Sequence, residues 1–121
     1  MNTIRRVAVV GSRKFANYNQ LKTKLDEILE LDDEIVSGGA VGVDSFAQRY
    51  CKEHGITIHI YYPDWERKGR GAGFIRNRHI VEHSDLVLAF YAKGSFQEGG
   101  TANTAMHARQ LGVELKEYEE K

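Results

Sequence analysis

Four short stretches of this chain carry residue types that suit a phosphorylated, sugar-bearing ligand. In Gly11-Ser12-Arg13-Lys14-Phe15, a glycine, a hydroxyl and a guanidinium fork follow one another. Glycine lets a backbone come close to a ligand, and the fork matches a phosphate or a ribose diol. Ser37-Gly38-Gly39-Ala40-Val41-Gly42-Val43-Asp44 sets three glycines ahead of a helical pattern. Such a loop turns its N–H groups outward as an anion nest. It is not a dinucleotide-binding fingerprint, because the glycine spacing differs, nor a Walker motif, because no Lys-Ser/Thr follows.

The third stretch is Tyr62-Pro63-Asp64-Trp65, followed by five basic residues and no acid between 67 and 78. Trp65, the single tryptophan, offers a stacking platform for a base, or else packs on the surface. Arg76 and Asn77 are expected to open a helix and hold an anion over its N-terminus. The fourth stretch is Lys93-Gly94-Ser95-Phe96-Gln97-Glu98-Gly99-Gly100-Thr101-Ala102-Asn103-Thr104. Two glycines and a hydroxyl ahead of a helix supply free N–H groups and a favourable dipole. Asp44 and Thr101 have plainer readings as helix caps.

Other reactive side chains point less clearly to chemistry. His79 and His83 stand four apart with Glu82 between them, but no third ligand is evident, so neither a metal nor a cofactor is expected. Cys51 falls on the apolar face of its helical segment, where a thiol is a core residue and not a nucleophile.

The elements that must position these loops alternate along the chain. Strands are expected at residues 7–10, 34–37, 56–61, 86–90 and 113–116. Helices are expected at 18–31, 44–54, 74–83 and 101–111, with basic, glycine-rich loop at 67–73 and a fraying tail at 117–121. Asn17 or Asn19 can cap the first helix, and Gly55 and Gly112 stop the second and last. The first and fourth strands are continuously apolar and belong in the middle of the sheet; the third and fifth alternate and belong at its edges. The order 3-2-1-4-5 meets both demands. The expected fold is an α/β, Rossmann-like three-layer sandwich on a mostly parallel five-stranded sheet. All four stretches then leave carboxyl ends of strands, beside the switch between strands one and four, where such sheets bind ligands.

Composition sets the outer limits. The 121 residues allow one domain, 1–121. The 17 basic and 17 acidic side chains cancel, which argues against a general nucleic-acid binder. One cysteine makes no internal disulfide, no apolar run is long enough to span a bilayer, and the start of the chain, from Met1 to Arg6, lacks a signal-peptide core. These features read as a cytoplasmic protein. Self-association suits so small a unit, but no interface is named by the sequence.

The same residues resemble a family. Gly11-Ser12-Arg13, Ser37-Gly38-Gly39-Ala40-x-Gly42-x-Asp44, Pro63-Asp64-Trp65, Gly71-Ala72-Gly73-x-x-Arg76-Asn77 and a final Gly-Thr before a helix look like the small YspA-type members of the SLOG superfamily. That Rossmann-like group contains the SMF/DprA proteins and the LOG phosphoribohydrolases. The resemblance implies a site for a nucleotide-derived small molecule, such as a nucleotide or ADP-ribose relative. The expected ligand-binding residues are Gly11, Ser12, Arg13, Ser37, Gly38, Gly39, Asp44, Trp65, Arg76, Asn77, Gly99, Gly100, Thr101 and Thr104. The LOG branch implies hydrolysis of an N-glycosidic bond, for which Glu98, Asp44 and Asp64 are the carboxylates at hand. LOG enzymes carry a proline before the glycines and a glutamate soon after the threonine; this loop has neither. The DprA branch implies single-stranded DNA as a third reading.

Overall fold

The structure, a computed structural model, describes residues 3–121. The expectation drawn on Met1 and Asn2 lies outside them. Five strands alternate with helices: β1 Arg6–Gly11, α1 Tyr18–Ile28, β2 Glu34–Ser37, α2 Val43–His54, β3 Ile58–Ile60, α3 Trp65–Lys68, a 3-10 turn Gly69–Gly71, α4 Ala72–Glu82, β4 Leu86–Tyr91, α5 Gly99–Leu111 and β5 Glu114–Glu119. The strands form one sheet in the order β3-β2-β1-β4-β5, and every pair is parallel. The expected Rossmann-like order is the observed one.

The apolar runs of β1 and β4 are continuous because both faces of these strands are covered. Val7 and Val9 of β1, with Leu86, Leu88 and Phe90 of β4, pack against Leu21 and Leu25 of α1 and Ala47, Tyr50 and Cys51 of α2. Ala8 and Val10, with Val87, Ala89 and Tyr91, pack on the opposite face against Ile80 and Val81 of α4 and Ala108 of α5. Each fully buried aliphatic side chain of this kind contributes about 1.5–3 kcal/mol. Cys51 is therefore the core residue its position suggested.

Several local expectations are overturned. The first helix ends at Ile28, not at residue 31, because the chain turns back at 30–33. There Asp33 accepts the Glu30 N–H at 2.8 Å, and Arg5 takes the Ile28 carbonyl at 3.0 Å. Of its two expected cap residues Asn17 fills the role, as expected, by accepting from Gln20 N. The second helix begins at Val43, so Asp44 lies inside its first turn and is not its cap. The third strand is shorter than expected, since Ile56 N donates to Cys51 O and closes α2 instead of joining the sheet.

The loop expected at 67–73 is helical: it takes in the end of α3, the 3-10 turn and the start of α4. The Asp64 carboxylate accepts from Arg67 N at 3.2 Å and starts α3. The next helix starts early, at Ala72, which puts Arg76 and Asn77 in its middle and not over its N-terminus. The last helix begins at Gly99 with Glu98 in the cap position, so Thr101 is a first-turn residue and not the cap. The fifth strand runs on to Glu119, and the end of the chain is held. Glu120 accepts from Ala16 N at 2.9 Å, and Lys121 N donates to Gln20 Oε1 at 3.0 Å. No helix among the described residues is long and apolar enough to cross a membrane.

Candidate functional site

A cavity of about 700 Å3 opens at the carboxyl edge of the sheet, and all four loops line it. Its apolar floor is Val10, Ile80 and Tyr91. Each wall comes from a different strand end.

The loop after β1 contributes Gly11, Ser12, Arg13 and Lys14. Its base is fixed by Ser12 N, which donates to Phe90 O at 2.9 Å, and by the buried Phe15 ring, set edge-on to Phe90. Arg13 and Lys14 stay exposed, and neither has an ion-pair partner among the described residues. Two uncommitted cations at a cavity mouth attract an anion.

The loop after β2 supplies Gly38, Gly39, Ala40 and Asp44. Gly42 makes its turn at φ +78°, a left-handed conformation; a Cβ there would also lie 2.4 Å from Ser12 O. Val43 N donates to that same Ser12 oxygen at 3.3 Å, so the first two loops are tied together. Asp44 is only 5% exposed, and its Oδ2 accepts Ala40 N at 3.0 Å. Burial pushes its carboxyl above the ordinary aspartate value; the Ala40 hydrogen bond and the Arg76 charge oppose that rise. Ser37 does not reach the cavity. It is fully buried, and its hydroxyl donates to Val9 O at 2.8 Å.

The β3 loop brings Tyr62, Pro63 and Trp65 to the wall, while Asp64 turns away to cap α3. From α4 come Arg76 and Asn77. Arg76 Nη1 donates to Gly38 O at 2.5 Å and to Tyr61 O at 3.3 Å, and its Nε donates to Asn77 Oδ1 at 3.0 Å. Asn77 Nδ2 in turn donates to Asn103 Oδ1 at 3.1 Å and to Gly100 O at 3.4 Å. The pair therefore ties the Gly38 loop and the end of β3 at Tyr61 to the first turns of α5 from the middle of a helix. Burial pulls the Arg76 pKa down and the Asp44 charge opposes this; a guanidinium so placed remains charged.

The fourth wall is Ser95, Glu98, Gly99, Gly100, Thr101 and Thr104. No side chain caps the first turn of α5, so its N–H groups and the positive end of a 13-residue helix face the cavity region unanswered. Thr104 Oγ1 donates to Gly100 O at 3.4 Å.

Of the sequence-predicted residues, Gly11, Ser12, Arg13, Gly38, Gly39, Asp44, Trp65, Arg76, Asn77, Gly99, Gly100, Thr101, Thr104 and the carboxylate candidate Glu98 converge on this one cavity; Ser37 and Asp64 do not. Lys14, Tyr62 and Ser95 also line it. All three lie within the four stretches, and Tyr62 directly follows the third strand pattern. Of the two histidines read from the sequence, His83, just past the end of α4, sets its Nδ1 against His79 O at 2.7 Å and stacks its ring on Tyr61.

Comparison with known proteins agrees with this architecture. The model of the YspA, cpYpsA-related SLOG family matches residues 5–68. The Gene 61 protein of Mycobacterium phage D29 is 29% identical over 127 residues, covering 98% of this chain and 99% of that protein. Among solved structures, DNA processing protein A (DprA) of Streptococcus pneumoniae superposes with a TM-score of 0.59 at 20% identity, over 93% of this chain. The chain spans 58% of that DprA chain, and the likeness is one of fold. The family match takes in the first two glycine loops and reaches past Trp65, and on it the chain belongs to the YspA, cpYpsA-related SLOG family.

Proposed function

We propose that this cavity binds a phosphorylated, nucleotide-derived small molecule, with residues 1–121 acting as one binding domain. The observation that supports this most is the uncapped first turn of α5 opening beside Arg13 and Lys14 in a cavity that also holds two exposed aromatic side chains, Tyr62 and Trp65. Helix N–H groups and cations suit a phosphate. Tyr62 and Trp65 suit the face of a base. The volume, about 700 Å3, is in the range of small-molecule sites. Family membership supports a nucleotide-related role.

Native mass spectrometry of freshly purified protein, followed by denaturation and identification of what is released, tests the reading. A released nucleotide or nucleotide derivative is the expected result. A tightly held molecule with neither phosphate nor base would contradict it.

A second reading is hydrolysis of an N-glycosidic bond. Asp44 favours it: a buried carboxyl with a raised pKa in a cavity wall is the type of group that serves as a general acid. Against it, the hydrogen bond from Ala40 N gives that carboxylate a bracing task already. Incubation with AMP, NAD and ADP-ribose decides between the readings. Free base signals hydrolysis, and intact substrate leaves binding alone.

A further inference from the structure

Residues 64–71 are the part of the cavity's surroundings least tied to the rest of the molecule. No residue of α3 or of the following 3-10 turn is buried. Their main contacts are with each other and with α4. A four-residue helix is far too short to hold itself, because nucleation is costly. Its identified supports are the Asp64 cap on Arg67 N and an Asp64–Arg67 ion pair at 4.0 Å. Few buried contacts of this kind mark a segment that opens locally without disturbing the core.

Three further features give that freedom a direction. Trp65 lines the cavity yet is 59% exposed, whereas residues 66–71 do not line it. Its indole rests over Gly73, where a Cβ would lie 3.6 Å from Cη2; the surface beneath the ring is thus bare backbone. Gly69 sits at φ +56° with no atom within 4 Å of its Cβ position, so it can act as an uncrowded pivot. Lys68 and Arg70 have no ion-pair partners among the described residues.

We propose that residues 64–71 form a lid that swings on Gly69 over the cavity when an anionic ligand is bound, carrying Trp65 inward and bringing Lys68 and Arg70 towards the ligand's charge. Lids commonly pivot on a few terminal or loop residues and exclude water on closure. The inference rests on the reading of the cavity as an anion-binding ligand site.

The test uses the full chain with AMP and ADP-ribose, and binding is followed by calorimetry. Trp65 is the only tryptophan, so emission reports the lid alone. On binding, emission is expected to shift to shorter wavelength. Trypsin cleavage after Lys68 and Arg70 is expected to slow by about tenfold or more, since a ligand that favours the closed state suppresses opening. The K68Q/R70Q variant, altered only at exposed positions, is expected to fold normally and to lose most of the spectral shift. Heat of binding with unchanged emission and unchanged cleavage would overturn the lid and leave the binding reading standing. A full spectral shift in K68Q/R70Q would overturn the role given to these cations. No heat with either nucleotide would remove both the binding reading and the lid built on it.

Discussion

Arg76 Nη1 donates to the carbonyl oxygen of Gly38 at 2.5 Å, joining the middle of α4 to the glycine loop after β2. A Cβ on Gly38 would lie 2.7 Å from that same nitrogen, so loop and guanidinium fit without spare room. The guanidinium also holds Tyr61 O and Asn77 Oδ1. The arginine read from the sequence as a phosphate clamp thus serves in the structure as a brace for the walls of the cavity.

Arg76→Ala should lower stability by about 1.5–3 kcal/mol, the usual effect of losing hydrogen bonds from a charged group. It should weaken ligand binding as well, because the Gly38 and Tyr61 loops lose their common anchor. Arg76→Lys keeps the charge but not the fork, and should recover only part of either. Urea unfolding and calorimetry of both variants check this; a lysine variant equal to the parent would refute the bracing role.

Gly100→Asp separates stability from binding. Gly100 lies in the first turn of α5, with nothing within 4 Å of its Cβ position. A carboxylate near a helix N-terminus stabilises it by roughly 0.3–1 kcal/mol, yet the same charge repels a phosphate. The melting temperature should hold or rise while binding of AMP falls at least about tenfold, equivalent to about 1.4 kcal/mol. Retained binding would move the phosphate away from α5.

The strand order was legible because burial on two faces forces continuous apolar runs, as in Val7 to Val10 and Leu86 to Phe90. The converging loops were legible because strand ends are fixed once the order is known. Other features depend on contacts distant in sequence. Arg76 bonds a carbonyl 38 residues away, and Glu120 accepts an N–H from Ala16, 104 residues earlier. A run such as Glu117 to Lys121 therefore reads as a solvated tail, although its end is pinned. The short α3 has no apolar periodicity to announce it; its one signal is Asp64 as a cap, a residue whose carboxylate reads equally as a group for chemistry.

Asp33 sets a pH dependence. Burial raises its carboxyl pKa, but the Arg5 fork and the Glu30 N–H outweigh this, and the net value lies below the ordinary one. The stabilisation is therefore fully present above the unfolded aspartate pKa of about 3.9 and is lost as pH falls through the lower native value. Asp33→Asn should cost about 2 kcal/mol at neutral pH, as expected for leaving a partly buried arginine without its partner. The gap in urea midpoint between parent and variant should shrink below about pH 4. A gap independent of pH would refute the assignment.

Cys51 should be inert in the folded protein. It is buried in the core beneath α2, and desolvation pushes its thiol up to about 12. The thiolate is the reactive form, so a chromogenic disulfide reagent at pH 8 should react only as fast as the protein unfolds. Rapid reaction of the native protein would show that this face of the core opens.

The most direct test of the central claim is a backbone amide NMR titration with AMP and with ADP-ribose. The predicted result is that the largest shifts fall on Ser12, Arg13, Gly99, Gly100 and Thr101, with smaller ones at Gly38 and Gly39. An open cleft of about 440 Å3 near the N-terminus of α1, lined by Asn17, Tyr18 and Arg49, serves as the internal control and should stay unperturbed. Shifts confined to that cleft, or none at about 1 mM of either nucleotide (an affinity limit near 4 kcal/mol), would contradict a nucleotide site at the carboxyl edge of the sheet.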